Sequence, residues 1–553
     1  MERKVDRWDC LLAVGLSLLT IVSRLPYRAR MLYNWDAVQF ALALREYDVV
    51  KHQPHPPGYV LYVGFGRLLH AWLDDPAAVY VVLAVLFSGL TTFVVYFLGR
   101  TMYDRPTALV ATTLLLGSPL FWFYGSVGLS YAGEALFAST VAYFCYRAFH
   151  GGRTDVWLAS GYLGLAGGMR QSILVLLFPL WLLAVAGGSR RLRVVAVGAG
   201  IVAAAVLTWF VPMIWLTGGL GRYLEASRDL ADTVVRPTSI AAGAFEVTLR
   251  MSRYLLESVL VGLGPLALAA VLVPWYVGRF GWTAREWFLL AWIVPPVLVY
   301  TLVHFGQAGY VLTFLPAVVI FLAQVVLAAL RALRALADRP LWRGAAATLL
   351  VTAVMLVNGA FFVSARPLPR DFDTPKRAWQ RTMQNDAYDW IWSRTAAALR
   401  EHEEVVRTFV GTIRGLYDPR ETAIITELGN PRSYPWLRHA MFYLPEYSIY
   451  ELQVGDMPAG YYAPRQSSAM TRFPDSEVHL APATKRLVWF VDHWSPTSER
   501  PAGLDEIEIP YGRFLYALTL AGPSLEYAGY TLVRDDAPPE PEKRRPVGAR
   551  ASR

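Results

Sequence analysis

A few ionisable residues interrupt an otherwise apolar stretch of sequence, and these are the positions where chemistry could occur. Glu134, Arg170 and His304 each stand between two long apolar runs. Ionisable groups within a membrane are energetically costly, and they usually line a cavity or a substrate path. The topology derived below places all three at turns on one face of the membrane. They therefore predict a single polar site on that face.

The segment 26–76 adds more polar side chains to the same face. Asp36 lies in the run Asn34-Trp35-Asp36-Ala37, and a second run reads Lys51-His52-Gln53-Pro54-His55-Pro56-Pro57. The apolar piece that follows is too short and too interrupted to cross a membrane, and it fits an interfacial helix on the outer membrane surface. We expect this loop to carry part of the site.

Each of these residues also has a purely structural interpretation. Glu134 and Arg170 could form a structural ion pair, and His304 could be an interfacial histidine whose hydrogen bonds are satisfied. Asp36 could cap the helix that follows it, because aspartate is a good N-cap residue. The spacing of His52 and His55 in a proline-broken segment is weak evidence for a metal site, and substrate contact or loop structure remain open.

The elements that must position these residues are membrane-spanning helices. Hydrophobic residues make up 55% of the 553 residues and charged residues 17%, whereas soluble domains contain about 25% charged residues. The runs 77–99, 194–221, 258–278 and 344–365 contain no Asp, Glu, Lys or Arg. About 20 apolar residues form a helix that crosses the hydrocarbon core of a bilayer. The composition therefore predicts a polytopic membrane protein.

The arginines orient the predicted spans. We predict eleven spans, near 9–25, 77–99, 106–125, 132–149, 155–169, 172–188, 192–216, 254–278, 286–303, 310–330 and 343–363. Alternate turns between them are rich in arginine, whereas the turns 126–131 and 304–309 contain neither lysine nor arginine. Basic turns stay in the cytoplasm. The N-terminus is therefore predicted on the cytoplasmic face, and the segment after the last span on the extracytoplasmic face.

The C-terminal part has the composition of a soluble domain. We predict an all-α membrane domain over 1–363, an extracytoplasmic α/β domain over 364–534 and a disordered tail over 535–553. The predicted strands are 423–426, 448–452, 486–491 and 529–533, and helical stretches surround 387–399. The tail is rich in Pro, Glu and Arg, which is typical of disorder.

Several protein classes are disfavoured by the same composition. The two cysteines, Cys10 and Cys145, both lie in apolar runs and indicate neither a disulfide framework nor a zinc site. The net charge of +9 arises largely from arginines in short turns, so it does not indicate nucleic-acid binding. The topology also predicts a multi-pass protein of the cytoplasmic (inner) membrane.

Four short motifs on this face, together with a second span that ends in a basic turn, follow in the order of a known family. The motifs are Trp35-Asp36, His55-Pro56-Pro57-Gly58, Ser130-Tyr131-Ala132-Gly133-Glu134 and Gly309-Tyr310-Val311-Leu312-Thr313-Phe314-Leu315-Pro316, and the second span ends in Tyr96-Phe97-Leu98-Gly99-Arg100-Thr101-Met102-Tyr103. This arrangement is similar to that of GT-C superfamily membrane glycosyltransferases, in the group of protein O-mannosyltransferases and of aminoarabinose and rhizobial lipopolysaccharide transferases. Two positions depart from that pattern. Ala37 stands where some relatives have a second acid, and Gly309 stands where many have arginine.

The resemblance implies transfer of a sugar from a polyprenyl-phosphate carrier to a lipid, glycan or protein acceptor on the outer face, with inversion at the anomeric carbon. A carboxylate should take the proton of the acceptor hydroxyl, and fixed cations should face the departing phosphate. No cofactor is implied with certainty, although a divalent cation is possible. The implied roles are a base (Asp36), orientation of the acceptor or a metal shared with Asp36 (Glu134), phosphate binding (Arg170, His304, Tyr310, Lys51) and other substrate contacts (His52, His55, Gln307).

Two other classes of protein fit part of the pattern. A lipid or glycan transporter or flippase would also have many spans, but it would normally bind its substrate near mid-membrane between repeated halves. The polar residues here lie at one face, and the sequence shows no repeat. A non-catalytic scaffold for envelope assembly would need none of these polar residues, so substituting them separates the scaffold from the enzyme.

Overall fold

The computed structural model describes residues 5–189, 192–236, 239–242, 245–304, 306–333, 340–365, 394–430, 433–434, 436–454, 477–496 and 498–535. These residues form two compact units, of which the first reaches Glu403 and the second begins at Glu404. Most of the segment 364–393, which follows the predicted end of the membrane domain, lies outside the described residues. The predicted tail lies outside them from residue 536.

The regular secondary structure described in the first unit is helical, apart from an isolated β-bridge between Asp48 and Gln53. Its helices are α1 (Arg7–Arg24), α2 (Trp35–Arg45), α3 (Val60–His70), α4 (Pro76–Met102), α5 (Arg105–Leu116), α6 (Pro119–Tyr124), α7 (Tyr131–Phe149), α8 (Arg153–Met169), α9 (Gln171–Ser189), α10 (Leu192–Leu216), α11 (Leu220–Leu230), α12 (Phe245–Leu263), α13 (Val273–Phe280), α14 (Ala284–Leu302), α15 (Leu315–Ala332) and α16 (Pro340–Ser364). Two 3-10 helices, Gly264–Leu272 and Ala308–Thr313, connect neighbouring helices. This confirms the predicted all-helical membrane domain.

Within the described residues, eight helical stretches are long and apolar enough to cross a membrane. They overlap the predicted spans at 9–25, 77–99, 172–188, 192–216, 254–278, 286–303, 310–330 and 343–363. The start of the span at 310–330 was predicted too early, because Ala308–Thr313 forms a 3-10 helix and the α-helix begins at Leu315. The other three predicted spans fall on α5 with α6, on α7 and on α8, which are shorter or less apolar. A total of eleven spans therefore stays a prediction.

A buried carboxylate joins α1 to α4 and α5. The Asp9 carboxylate is fully buried, and it accepts hydrogen bonds from the Tyr96 hydroxyl at 2.9 Å, from Arg100 Nε at 3.1 Å and from Arg105 Nε at 2.8 Å. A buried charge is tolerated only when charged and hydrogen-bonding partners surround it. These contacts fix the first helix against the bundle.

The opposite end of the bundle gathers the residues singled out by the sequence. Helix α7 packs against α4, α8 and α9, and against the 3-10 helix Ala308–Thr313. The start of α7, the junction of α8 and α9 and the segment between α14 and α15 therefore come together. The loop that carries α2 and α3 is folded as well, and Arg67 of α3 donates to the Ala43 carbonyl at 3.0 Å. The predicted helix after His55-Pro56-Pro57 is α3.

The described part of the chain continues with α17 (Ala396–Leu416), which begins in the first unit. The second unit contains α18 (Leu437–Tyr443) and eight strands, β1 (Thr422–Leu428), β2 (Ser448–Gln453), β3 (Glu477–Leu480), β4 (Arg486–Trp489), β5 (Asp505–Ile509), β6 (Arg513–Thr519), β7 (Ser524–Tyr527) and β8 (Tyr530–Arg534). One sheet has the order β2-β1-β4-β6-β5, and the other has the order β3-β8-β7. Strand β1 is parallel to β2 and β4. The four predicted strands are confirmed as β1, β2, β4 and β8.

Glu427 is a buried carboxyl group at the end of β1. It is 2% exposed, and it accepts hydrogen bonds from the Tyr527 hydroxyl and, at 2.6 Å, from Asn430 Nδ2. Burial raises the pKa of the Glu427 carboxyl from 4.5 to about 7, although the two hydrogen bonds oppose the shift. The folded second unit therefore holds this proton more tightly than the unfolded chain does.

The stability of the second unit should fall as the pH rises from about 5 to about 7. A carboxyl whose pKa is raised on folding stabilises fully below its unfolded pKa, and this contribution is lost as the pH rises through its folded pKa. The difference between 4.5 and about 7 corresponds to about 3 kcal/mol. The measurement is urea unfolding of the full-length protein, with β1 and β7 followed by pulsed hydrogen exchange at several pH values.

Glu427→Gln should remove most of this pH dependence, because the amide does not titrate. The matched control is Glu421→Gln, since Glu421 is an exposed acid just before β1 that pairs with Lys485 at 2.5 Å. The control should keep the wild-type slope. Equal slopes for wild type and Glu427→Gln would contradict the assignment of this proton to Glu427.

Candidate functional site

A buried ion pair lies at the start of α7. Glu134, in the first turn of α7, is fully buried, and Arg170, which follows α8, is 5% exposed. Arg170 Nη1 lies 3.2 Å from Glu134 Oε2, and the Ser130 hydroxyl donates to Glu134 Oε1 at 2.7 Å. The ion pair that the sequence left open is therefore present. An arginine carries five N–H donors, so the same guanidinium can also face a second anion.

Arg170 also faces an aromatic ring. Its guanidinium carbon lies 3.9 Å from the centroid of the Tyr310 ring, and this close approach is a cation–π contact, worth about 2 kcal/mol when desolvated. Tyr310 stacks on Tyr300 with centroids 4.7 Å apart, and the His304 ring lies 5.7 Å from Tyr310. Three residues that the family resemblance assigned to phosphate binding, Arg170, His304 and Tyr310, are thus brought together.

Tyr131 connects this group to Gln307. Its hydroxyl donates to Gln307 Oε1 at 2.6 Å, and its ring lies 5.8 Å from that of Tyr310. Tyr131 and Glu134 are three residues apart on α7, so they share one face of the helix. Hereafter the Arg170 cluster means Tyr131, Glu134, Arg170, His304, Gln307 and Tyr310.

The structure explains why glycine precedes Tyr310. A Cβ atom on Gly309 would lie 2.5 Å from ring atoms of Tyr131, which is far inside van der Waals contact. The arginine found here in many relatives therefore cannot fit unless Tyr131 moves. The positive charge next to Tyr310 comes instead from Arg170, which lies between α8 and α9.

Asp36 lies in the first turn of α2, but it is not the N-cap. The N-cap is Asn34, whose side-chain oxygen accepts from the Ala37 N–H at 3.0 Å, so the capping interpretation of Asp36 is wrong. The Asp36 side chain is 26% exposed, and its Oδ1 lies 3.7 Å from His55 Nδ1. A partly exposed carboxylate beside a histidine can exchange a proton with a bound group.

His55 holds the Asp36 side of the site together. Its Nδ1 lies 2.6 Å from Gln39 Oε1, and its Nε2 lies 3.1 Å from the Tyr59 hydroxyl. The amide oxygen only accepts, so Nδ1 donates to it and Nε2 accepts from Tyr59. Hereafter the Asp36 group means Asp36, Gln39, His55 and Tyr59.

Electrostatic proximity connects the Asp36 group with the Arg170 cluster. Tyr59 and Tyr310 both lie within electrostatic range of the Asp36 carboxylate and of the Glu134 and Arg170 side chains. Gln171, next to Arg170, donates to the Pro57 carbonyl at 3.1 Å. The loop and the bundle therefore form one site within the first unit.

Lys51 and His52 lie in the turn that leads to His55. Lys51 Nζ lies 2.5 Å from Glu46 Oε1, and His52 is 3% exposed with a backbone φ of +55°. In the described part of the chain, no group of three or more His, Cys, Asp or Glu side chains could hold a metal ion. Glu134 is committed to Arg170, so no step proposed below runs through a metal shared with Asp36.

The sequence did not single out three residues that the structure places in the site. Tyr131 and Tyr59 lie within or next to the motifs quoted above, and Gln39 lies one turn after Asp36. The helical spacing of Tyr131 and Glu134, and of Asp36 and Gln39, could have indicated shared faces. The position of Tyr59 depends on a left-handed backbone conformation (φ +42°), which its sequence does not predict.

Known proteins resemble this chain in part of its sequence and in its fold. Residues 55–215 match the family model described as dolichyl-phosphate-mannose-protein mannosyltransferase. The fold is similar to that of ArnT from Cupriavidus metallidurans bound to undecaprenyl phosphate, with a TM-score of 0.55, 13% identity, and coverage of 92% of this chain and 97% of that chain. The apo structure of the same protein gives a TM-score of 0.50, 14% identity, and coverage of 81% and 86%. No curated protein matches the chain in sequence.

The chain has the ArnT-like GT-C fold of a multi-pass membrane protein, with a C-terminal domain that contains strands. At 13% sequence identity, the structural similarity shows a shared fold and nothing further. The family match begins at His55 and includes Glu134 and Arg170. Together, the matched family and the fold support a glycosyltransferase of the GT-C superfamily.

Proposed function

We propose that the protein is an inverting glycosyltransferase that moves a sugar from a polyprenyl-phosphate carrier to an acceptor hydroxyl. The observation that carries the proposal is the position of the partly exposed Asp36 carboxylate beside the Arg170 cluster. Glycosyl transfer to a hydroxyl requires a base and a stabilised phosphate leaving group, and the site offers one candidate for each. The ArnT structure with undecaprenyl phosphate supports a donor of this chemical class.

The Arg170 cluster is suited to the donor phosphate. Burial strengthens the attraction between a guanidinium and an anion, and the Tyr310 hydroxyl and the His304 ring can add donors at the same place. Glu134 holds Arg170 by one nitrogen, so in this proposal it orients the guanidinium toward the phosphate. Lys51 remains a further candidate for the phosphate, and Gln307 a candidate for substrate contact.

The Asp36 group is suited to the acceptor. The Asp36 carboxylate takes the proton from the acceptor hydroxyl as its oxygen attacks the anomeric carbon from the face opposite the phosphate. The bond between that carbon and the phosphate oxygen breaks, and its electron pair leaves with the polyprenyl phosphate. One displacement of this kind inverts the anomeric centre, and the partly exposed Asp36 then releases its proton to solvent. His55, which lies beside Asp36, and His52 in the adjoining turn remain candidates for substrate contact.

The proposed orientation follows from the arginine-rich turns. These turns support an orientation with the site, the loop 26–76 and the C-terminal domain on the extracytoplasmic face of the cytoplasmic membrane. A donor on a lipid carrier suits this face, since nucleotide sugars are made in the cytoplasm. The acceptor in this proposal is a lipid, a glycan or a protein that carries a free hydroxyl group. Cell-envelope lipopolysaccharide is one example.

Transfer by the purified protein tests the proposal. The full-length protein in liposomes is given radiolabelled pentoses and hexoses linked to undecaprenyl phosphate, with lipid, glycan and peptide acceptors. We expect one donor to be consumed, with undecaprenyl phosphate as product and an inverted linkage in the glycoside. Undecaprenyl phosphate at about 100 times its Kd should also stabilise the protein by about 2.7 kcal/mol. Movement of the intact lipid-linked sugar across the bilayer without transfer would instead identify a flippase.

A further inference from the structure

An arginine far along the chain contacts the segment that leads into Asp36. Arg394, just before α17, donates from Nη1 to the Tyr33 hydroxyl at 2.8 Å and from Nε to the Tyr124 hydroxyl at 3.1 Å. Its guanidinium carbon lies 5.6 Å from the Tyr33 ring centroid and 5.5 Å from that of Phe123. Arg394 therefore connects the loop 26–34 with helix α6, both in the first unit.

The two hydroxyls belong to residues that adjoin the two halves of the site. Tyr33 directly precedes Asn34, the N-cap of α2, and is three residues before Asp36. Tyr124 packs on Tyr131 with ring centroids 4.7 Å apart, and Tyr131 holds Gln307 in the Arg170 cluster. The guanidinium thus stands between the segment that sets the position of Asp36 and the aromatic layer beside Arg170.

The first turns of α17 also hold the backbone of the same loop. Arg400 donates to the carbonyls of Pro26 at 3.0 Å and Arg28 at 3.3 Å, and Glu403 accepts from the Arg30 N–H. His402 Nε2 lies 3.3 Å from the Leu32 carbonyl. The N–H and C=O groups of a loop lack the hydrogen-bond partners that a helix or a strand provides. Side chains of α17 supply such partners for this loop. Arg394 is the member of this set that also reaches the other half of the site.

We propose that Arg394 is a positioning residue that sets the distance between the Asp36 carboxylate and the Arg170 cluster. This inference rests on the proposed function. Arginine suits the role because its planar fork holds two acceptors in a fixed geometry, which the single ammonium of lysine cannot do. A misplacement of about 1 Å between reacting groups can cost on the order of 10²-fold in rate. Arg394 therefore acts on the transfer step through Tyr33 and Tyr124.

The test compares kcat with donor binding in Arg394→Ala and Arg394→Lys. We expect both variants to lower kcat by roughly 10- to 100-fold per folded molecule. The donor KM and the Kd for undecaprenyl phosphate should change by less than about 3-fold, because Arg170 and Tyr310 remain. The matched control is Arg407→Ala, since Arg407 is an exposed arginine on α17, the helix that follows Arg394, and its kcat should equal that of wild type.

A double-mutant cycle excludes a merely structural effect. Tyr33→Phe with Tyr124→Phe removes only the two accepting hydroxyls, and it should lower kcat about as much as Arg394→Ala. Adding Arg394→Ala to that double variant should then change kcat little, because interacting residues are non-additive. A kcat within about 3-fold of wild type in folded Arg394→Ala, or fully additive losses, would overturn the proposal. A wild-type protein that transfers no sugar would overturn the proposed function instead.

Discussion

Asp36→Asn should abolish glycosyl transfer while the protein still folds and binds its donor lipid. Replacement of a general base typically lowers the rate by ~10²–10⁴-fold, and asparagine cannot accept the proton of the acceptor hydroxyl. The substitution keeps the size of the side chain, and Asn34 rather than Asp36 caps α2. We therefore expect little change in melting temperature or in affinity for undecaprenyl phosphate. The measurement is initial transfer rate per folded molecule beside lipid-binding affinity.

Two control variants separate the base from other roles of the same loop. Asp74→Asn removes an exposed acid from the segment 26–76 and should transfer sugar at the wild-type rate. Asn34→Ala removes the helix cap, which should cost about 1 kcal/mol of stability with a smaller effect on rate than Asp36→Asn. Transfer by Asp36→Asn within about 3-fold of wild type would remove the base from the mechanism and leave the fold assignment intact.

Replacing the buried pair Glu134 and Arg170 with apolar residues should preserve folding but strongly weaken donor binding. Removal of one partner alone leaves a buried charge uncompensated, which costs about 3–5 kcal/mol, whereas hydrophobic replacement of both is often neutral. The variant Glu134→Leu with Arg170→Met should therefore fold, whereas Arg170→Ala alone should give less folded protein. A lost charge-assisted hydrogen bond is worth about 1.5–3 kcal/mol. Undecaprenyl phosphate should thus bind at least about 10-fold more weakly to the double variant.

The same two helices provide a matched control at their other ends. Arg147 in the last turn of α7 pairs with Asp155 in the first turn of α8 at 3.0 Å. Arg147→Met with Asp155→Leu removes this ion pair, and it should leave lipid binding and transfer unchanged. Unchanged lipid binding in the folded Glu134→Leu, Arg170→Met variant would show that the pair is structural and that the phosphate binds elsewhere.

These predictions and the proposal for Arg394 address separate parts of one reaction. Asp36→Asn removes proton transfer and leaves both the donor site and the geometry in place. The apolar replacement of Glu134 and Arg170 removes the phosphate partner and should affect binding first. Arg394→Ala leaves every reacting group present and changes their relative position. The three variants should therefore differ in how the affinity for undecaprenyl phosphate and the transfer rate change. The apolar replacement of Glu134 and Arg170 lowers the affinity, whereas Asp36→Asn and Arg394→Ala lower the rate at nearly unchanged affinity.

The sequence by itself determined the helical membrane domain and the strand-containing domain after it. Long charge-free runs such as 77–99 can satisfy their backbone groups in a membrane only as helices, so composition alone predicts them. The strands β1, β2, β4 and β8 were likewise predicted from local β-branched and aromatic residues. The strands β3, β5, β6 and β7 were not predicted, and β3 and β7 are both held by pairing with β8.

The sequence also indicated the polar residues of the site, because a lone charge between apolar runs is costly anywhere in a membrane. Glu134 and Arg170 were found in this way, whereas Asp36 and His55 were found in the loop 26–76 and through the order of the family motifs. The pairing of Glu134 with Arg170 was left open, since the two are 36 residues apart and spacing does not give the distance between helix ends. The choice of Asn34 over Asp36 as N-cap was missed, because both residue types cap helices well.

Only the tertiary structure decided which side chains meet. Arg394 reaches Tyr33 across 361 residues of sequence, and nothing in the local pattern of either segment indicates this contact. Gly309 is glycine because the ring of Tyr131, from a different helix, occupies the place of its Cβ. The local sequence indicates whether each residue can be buried. The geometry of a site depends instead on how helices from distant parts of the chain pack together.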